Sequence, residues 1–566
     1  MPVLPKIKGF LTIRKHELTA FAILVLAAGF TYYNSMNSPF VFDDIHYIER
    51  NPLIRDMARP WQVVSFNPAR ALLLFTFALN WRVSGNSTWS YHFVNVAIHT
   101  INSFMVYILI AWLLRHRSDY EKKLGQYVEL APLLGAMVFL LHPVQTEAVT
   151  YIVGRSSSLA TSFYLLGMLI FLKKAPESEI SENKKRKWPW ILVLCLVYIL
   201  GLAAKEIVAT LPAALLLLDL LFLQRKGFKN RALKWHIPQW LVLWILVVLR
   251  LTLLGGIGNP EKGGLPGSLV YFLTQLAVFP NYLSILVWPS RLSIDHDFAW
   301  RTSIMGEGVL LGALLLILTL SLAFFFIRRR FFSFFSFGLL FFILTLAPTS
   351  SFLPIRDPMV ERRLYLPMAG IAGMLGVGVA GLCAALDERF KKQRYALYVL
   401  LCAFGTCVVL ANLTIMRNTD YSSRLSLWEA TLKTSPHKAR VYNNLGLAYM
   451  DSGDFFTAED LFKMAIRLDP GNAKAYNNMG VLFALQGGYK KAETLLVKAA
   501  GLAVDYPDPL KNEALLFAYT GRCDTARKVL KEYEAKKIPP GPDKDGRKRI
   551  AACIKGKVLM PRDLKF

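Results

Sequence analysis

Apolar residues along this chain are gathered into long stretches separated by short polar connections. Such stretches occupy positions 18–33, 93–114, 130–141, 159–172, 190–204, 207–223, 240–254, 309–327, 334–346, 364–386 and 395–413. Each reads as a membrane-crossing helix, although several are slightly short for a hydrocarbon core roughly 30 Å thick. Residues 268–288 are also apolar but carry Pro280 and Asn281 at their middle. This segment is expected to be re-entrant or broken, because a backbone break is tolerated in a bilayer only against protein or a wet cavity.

After Asn418 the pattern turns mixed polar, and Val441-Tyr-Asn-Asn-Leu-Gly returns as Ala475-Tyr-Asn-Asn-Met-Gly 34 residues later. That period marks tetratricopeptide repeats. In register, Gly453, Gly487 and Gly521 open the turns between paired helices, Ala458, Ala492 and Ala526 take the close-packing site, and Asp469-Pro470 ends a repeat. The expected architecture is all-α: a polytopic membrane domain of about eleven spans over 1–417, with a first external loop at 34–91. A connector at 418–437, two or three repeats at 438–539 and a basic tail at 540–566 complete it. Asn443, Asn444, Asn477 and Asn478 would either hold an extended peptide on the concave face or bond within and between helices.

Composition sharpens this picture. With 54% hydrophobic residues the chain is not an ordinary soluble domain. A formal charge of +27 would suggest nucleic acid in a soluble protein, but the basic residues fall in blocks at 6–15, 115–123, 184–187, 225–234, 328–330 and 389–394. Blocks between spans set orientation, so no nucleic-acid partner is expected. They place the N-terminus inside and the tail outside. No A-x-A-like site precedes Asn34, so the first span is expected to be a retained anchor. Of six cysteines, only Cys523 and Cys553 lie in the external tail, where a disulfide is chemically permitted. The short tail and compact loops fit a bacterial inner membrane with the repeats in the periplasm.

Four ionisable clusters then fall on the external face. Asp43 and Asp44 follow the first span, and paired acids there suit a general base or metal site, or a plain solvated turn. His142-Pro-Val-Gln-Thr-Glu ends the third span and leads to Glu147 and Arg155. Lys205-Glu206 joins two spans, and 348–367 carries Glu361, Arg362, Arg363 and Tyr365. Ionisable groups at membrane depth pair or line a pathway. Arg362 and Arg155 are the preferred phosphate ligands, since guanidinium keeps its charge, with Lys205 and Arg363 beside them; Arg250 is a weaker choice because it can snorkel. His92, Asn95 and His99 share one helix face, a spacing that more often means interhelical hydrogen bonds than a metal site. No P-loop, Rossmann glycine pattern or zinc-type cluster is present, so nucleotide-sugar use is unsupported.

Together these segments resemble the transmembrane and tetratricopeptide-repeat (TMTC) proteins, a branch of the GT-C superfamily of polyprenol-dependent glycosyltransferases. The resemblance rests on Asp43-Asp44, His142-Pro-Val-Gln-Thr-Glu-Ala-Val with Gly154-Arg155, Lys205-Glu206, Glu361-Arg-Arg-Leu-Tyr-Leu-Pro367, Arg417-Asn418 and the repeats. It implies a GT-C fold and transfer of a mannose-like hexose from a polyprenyl-phosphate donor to a protein hydroxyl, with inversion. Asp43 would be the base with Asp44 as its neighbour or alternate, and Arg362, Arg155, Lys205 and Arg363 would hold the donor phosphate. Glu147, His142, Glu206, Glu361, Tyr365 and His92 would support them, and Asn443, Asn444, Asn477 and Asn478 would engage the acceptor. A lipid monophosphate donor need not be held by a metal, so no cofactor is expected. Having only two or three repeats leaves a glycan or lipid acceptor open, as well as a non-catalytic scaffold for envelope assembly.

Overall fold

The computed structural model describes residues 15–55, 62, 67–116, 118–176, 188–223, 227–254, 265–329, 332–390, 394–502, 506–535, 548–549 and 551–553. Most of the basic stretch at 6–15, the block at 184–187, parts of the other blocks and nearly all of the tail at 540–566 lie outside the described residues. Among the described residues there is no β-strand. The chain divides into two compact units. One runs to Arg50 and includes Ile54–Ile294 and Phe298–Ser422; the other gathers Asn51–Leu53, Asp295–Asp297 and the chain from Ser423.

The first unit is a bundle of α1 (Lys15–Tyr32), α2 (Ala71–Ser84), α3 (Trp89–Arg115), α4 (Leu130–Leu141), α5 (Arg155–Lys174), α6 (Trp188–Leu202), α7 (Leu211–Phe222), α8 (Ile237–Leu254), α9 (Ser268–Val287), α10 (Val309–Ile327), α11 (Ser333–Leu346), α12 (Pro367–Phe390) and α13 (Arg394–Asp420). Eight described helices are long and apolar enough to cross a membrane, or nine if the bent pair Asp119–Tyr127 and Leu130–Leu141 is one span. The expected count of eleven is not reproduced. The cause is length: α4 and α7 have 12 residues, α11 has 14 and α6 has 15, which at about 1.5 Å per residue fall short of the hydrocarbon core. Small residues set the tightest packing: a Cβ on Gly376 of α12 would stand 2.3 Å from Ala131 O of α4. On α10, Leu311, Leu314 and Ile317 are exposed, as a lipid-facing surface requires.

The break expected near Pro280 is absent, for α9 is one continuous helix. Proline deprives the Leu276 carbonyl, four residues earlier, of its helical donor. Gly312 of α10 packs onto that carbonyl so closely that a Cβ would lie 1.7 Å from it, and Asn281 Nδ2 donates to the next carbonyl, Ala277 O, at 3.1 Å. Neighbouring groups thus cover the backbone that proline frees. Both ends of α9 are hydrogen-bonded to segments that flank other helices of the unit. Tyr271 donates to Thr349 O, Gln275 to Pro358 O, and Leu286 O accepts from His142.

The second unit stacks α14 (Arg424–Thr434), α15 (Ala439–Ser452), α16 (Phe455–Leu468), α17 (Ala473–Leu485), α18 (Tyr489–Leu502), α19 (Asp508–Tyr519) and α20 (Cys523–Ala535). Gly453, Gly487 and Gly521 hold φ of 88°, 82° and 79° at the inter-helix turns, and Ala458, Ala492 and Ala526 are fully buried, as the repeat register predicts. Lys438 and Arg440 both pair with buried Asp295. Cys523 and Cys553 form a disulfide. The asparagines bond to one another head to tail: Asn512 to Asn477, Asn477 to Asn478, Asn478 to Asn443 and Asn443 to Asn444. Their side chains therefore join successive repeats, the second of the two roles the sequence left open.

Candidate active site

The site grows from a strained turn. Phe42, directly before the acid pair, has φ of 51°, a conformation side chains rarely adopt and which surrounding contacts must hold. Asp44 supplies them. It is fully buried, its Oδ2 accepts from Val41 N at 3.1 Å and its Oδ1 from Val153 N at 2.8 Å. Burial pushes its carboxyl up to about 8, against the lowering effect of those N–H donors, with Asp43 adding to the rise. A π-helical turn, Ile45–Glu49, follows. Asp44 is therefore the clamp of the turn, and its neighbour Asp43 is the acid left partly exposed. The Asp43 backbone N–H donates to Tyr151 Oη at 3.1 Å, and burial together with Asp43 and Asp44 keeps that phenol protonated.

The segment after α4 turns sharply because His142 caps it: Nδ1 accepts from Val144 N and Nε2 donates to Leu286 O. This brings Glu147, fully buried, beneath the turn Glu361–Arg363. Glu147 Oε2 accepts from Arg362 N at 2.8 Å and Oε1 from Arg362 Nη1. The guanidinium is also 5.9 Å from the Tyr151 ring centre and lies near Asp43. Its Nε and Nη2 have no hydrogen-bond partner among the described residues, and the side chain is 24% exposed.

Lys205 lies on the connection between α6 and α7, 6% exposed, and donates to Ser157 Oγ at 2.7 Å. Burial pushes its ammonium down to about 7; Glu206 opposes this, and Arg362, Arg70 and Arg363 add to it. Cations are thus gathered around a lysine that no carboxylate bonds directly. Arg363 spends its donors on Pro358 O and Asp357 O, which braces the turn that aims Arg362.

Other predicted residues do different work. Arg155 is expected at the phosphate, yet it is fully buried with its donors used: Nε on Asn95 Oδ1, Nη1 on Asn80 Oδ1 and Thr76 Oγ1, Nη2 on Tyr91 O. It fastens α2 to α3. His92 donates to Ser38 O, and His99 bonds Leu140 O and Tyr365 Oη, which also accepts from Asn102. Of these only the bond from His99 to Leu140 O joins two helices, as the spacing favours; Ser38 and Tyr365 lie on loops. Glu361 Oε1 accepts from Ser293 N, and Oε2 lies 3.8 Å from Arg417 Nη2. Asn418 accepts from Thr150 Oγ1 and donates to Thr31 O and Asn34 Oδ1, binding the end of α13 to α1 and the Glu147 segment. Sequence reasoning did not single out Tyr151, Arg70 or Tyr421. Tyr151 sits inside the quoted His142–Arg155 segment, whereas Arg70 and Tyr421 carry no local signal.

These observations define a class: an all-helical, polytopic membrane protein with an acid, arginine and lysine site at helix ends and a repeat tail. A tetratricopeptide-repeat family model matches residues 439–472, and a second matches 461–494. The chain is 25% identical to a protein O-mannosyl-transferase of Caenorhabditis elegans over 79% of this chain and 62% of that protein. It is 26% identical to protein O-mannosyl-transferase TMTC4 of Mus musculus over 75% of this chain and 63% of that protein. Against protein O-mannosyl-transferase TMTC3 of Homo sapiens the identity is 24%, over 76% and 49%. The chain is a homologue of the transmembrane and tetratricopeptide-repeat proteins over about three quarters of its length. It spans about half to three-fifths of these curated relatives. They are animal proteins, and lend nothing to the expectation of a bacterial inner membrane.

Proposed function

We propose that the chain transfers a mannose-like hexose from a polyprenyl-phosphate donor to a hydroxyl of a protein acceptor on the non-cytoplasmic face. The observation that carries this reading is that Arg362, one edge of its guanidinium unbonded, lies near partly exposed Asp43 on one side and near Lys205 on the other, with Arg70 close to Lys205. Cations in excess suit a phosphodiester that leaves as a more highly charged monoester, and a carboxylate near them suits a base. The names of the relatives agree with it.

In this mechanism Asp43 takes the proton of the acceptor hydroxyl as its oxygen attacks the anomeric carbon. The bond from that carbon to the phosphate oxygen breaks, and polyprenyl phosphate leaves with both bonding electrons. Arg362 and Lys205 meet the charge that develops on it, an interaction strongest in the transition state. A single displacement inverts the anomeric centre. The phosphate is met by side-chain cations, so the step is written without a metal.

The helix ends support that face. Helices whose one end reaches the site carry basic residues at the other: Arg115 on α3, Lys173 and Lys174 on α5, Arg389 on α12 and Arg394 on α13. Basic ends stay cytoplasmic. The Cys523–Cys553 disulfide suits an oxidising compartment for the repeat unit, as a periplasm would be, and the repeats would engage the protein acceptor.

The test is transfer of labelled mannose from polyprenyl-phosphate-mannose to endogenous proteins in membranes carrying wild type, Asp43→Asn or Arg362→Lys at matched expression. Wild-type transfer lost in both variants supports the reading. Equal transfer in all three, or none from wild type, moves the assignment to a membrane-anchored scaffold.

A further inference from the structure

Next to the cationic end lies a second polar cluster of different character. Arg417, near the end of α13, is 6% exposed; its Nη1 donates to Asp420 Oδ2 at 2.7 Å. Its Nε and Nη2 are buried with no hydrogen bond, although Nη2 stands 3.8 Å from Glu361 Oε2. Tyr421 is 1% exposed and its hydroxyl is likewise buried without a hydrogen bond. On the facing segment, Gln145 Oε1 and Thr146 Oγ1 are also buried and unbonded. The segments adjoin: Thr414 Oγ1 donates to Leu141 O and Thr150 Oγ1 to Asn418 Oδ1. Buried polar groups are normally hydrogen-bonded, and leaving one bare destabilises the fold. Bare groups on two adjoining segments are groups whose bonding a ligand would complete.

The charge balance says what kind of ligand. Around Lys205 cations are in excess. Around Arg417 they are not, since Glu361 and Asp420 pair with it, and Tyr421 has Glu147 and Glu361 close by as well. A second phosphate would meet carboxylates there. Neutral hydroxyls fit better, because each can accept from Arg417 or Tyr421 and donate to a carboxylate or amide oxygen. Glu147 belongs to both ends, bonded to Arg362 on one side and near Tyr421 on the other.

We infer that Arg417 and Tyr421 bind the hydroxyls of the donor's hexose ring, while Arg362, Lys205 and Arg70 hold its phosphate. This rests on the reading of the site as a sugar-phosphate transferase and adds where the sugar lies. It makes the two residues sugar-selecting and leaves the lipid phosphate to the other end.

The experiment compares two ligands on the purified full chain: polyprenyl phosphate, and the same lipid phosphate carrying mannose. Dissociation constants are measured for wild type, Tyr421→Phe, Arg417→Lys and Lys205→Met. Tyr421→Phe removes only a hydroxyl that bonds nothing in the protein, so its unfolding midpoint should equal or exceed that of wild type. Expected are a roughly tenfold weaker affinity for the mannosyl lipid in Tyr421→Phe and Arg417→Lys, an affinity for the bare lipid phosphate within about twofold of wild type, and loss of both in Lys205→Met. Equal effects of Tyr421→Phe on the two ligands, or none on either, overturn the inference. If wild type binds neither lipid, the transferase reading fails and the inference with it. If it binds both equally well, the inference alone fails.

Discussion

Two arginines of the same unit, Arg155 near Asp44 and Arg362 near Asp43, have opposite circumstances. Arg155 is fully enclosed, with its guanidinium bonded to Asn95, Asn80, Thr76 and a backbone carbonyl. Arg362 is held on one edge by Glu147 and open on the other. The same contrast separates adjacent acids, Asp44 fully buried and spent on two backbone N–H groups and Asp43 left partly exposed. Neither residue type nor membrane depth separates structural charges from available ones; what remains unbonded does.

The contrast predicts that Asp43→Asn leaves the unfolding midpoint and donor affinity unchanged while transfer falls by roughly 10²–10⁴-fold, measured as initial rate at saturating donor. A variant that transferred at the wild-type rate would erase the distinction. Arg155→Met should do the reverse. It strands the buried Asn95 and Asn80 oxygens and costs about 3 kcal/mol, seen in detergent unfolding, with the folded fraction still transferring normally.

Asp44→Asn is expected to cost less, about 1–2 kcal/mol, because one acceptor of a backbone N–H becomes a donor. Its pH signature is specific. A carboxyl raised to about 8 in the folded protein contributes stability that is full below its unfolded value of about 4 and is lost as pH rises through about 8. The variant should flatten that slope. The smallest effect concerns Lys205. Its ammonium is depressed to about 7 in the free site, and a bound phosphate raises it, so binding takes up a proton above pH 7. Affinity for polyprenyl phosphate should fall by up to about tenfold per pH unit above 7, and Lys205→Arg should remove the dependence.

Much of this protein is legible in the chain itself. Apolar stretches placed the helices, a 34-residue return placed the repeats, and the motifs containing Asp43, Glu147, Lys205 and Arg362 pointed to one region. The asparagines were legible as a set but not in role, since only the stacked helices show Asn478 reaching Asn443 and Asn512 reaching Asn477. The fate of α9 was not legible either. Pro280 signals a break, and the glycine that relieves it lies 32 positions away.

The sequence by itself determined the helical class, the repeat register and the basic helix ends, because periodicity and composition act over a few neighbouring residues. Tertiary structure alone decided that Arg155 is a brace while Arg362 keeps an unbonded edge, that Asp44 clamps while Asp43 stays partly exposed, and that Arg417 and Tyr421 are left with bare donors. The physical reason is that a polar group's availability depends on how many of its hydrogen-bonding sites distant segments have already filled, and no local pattern encodes that sum.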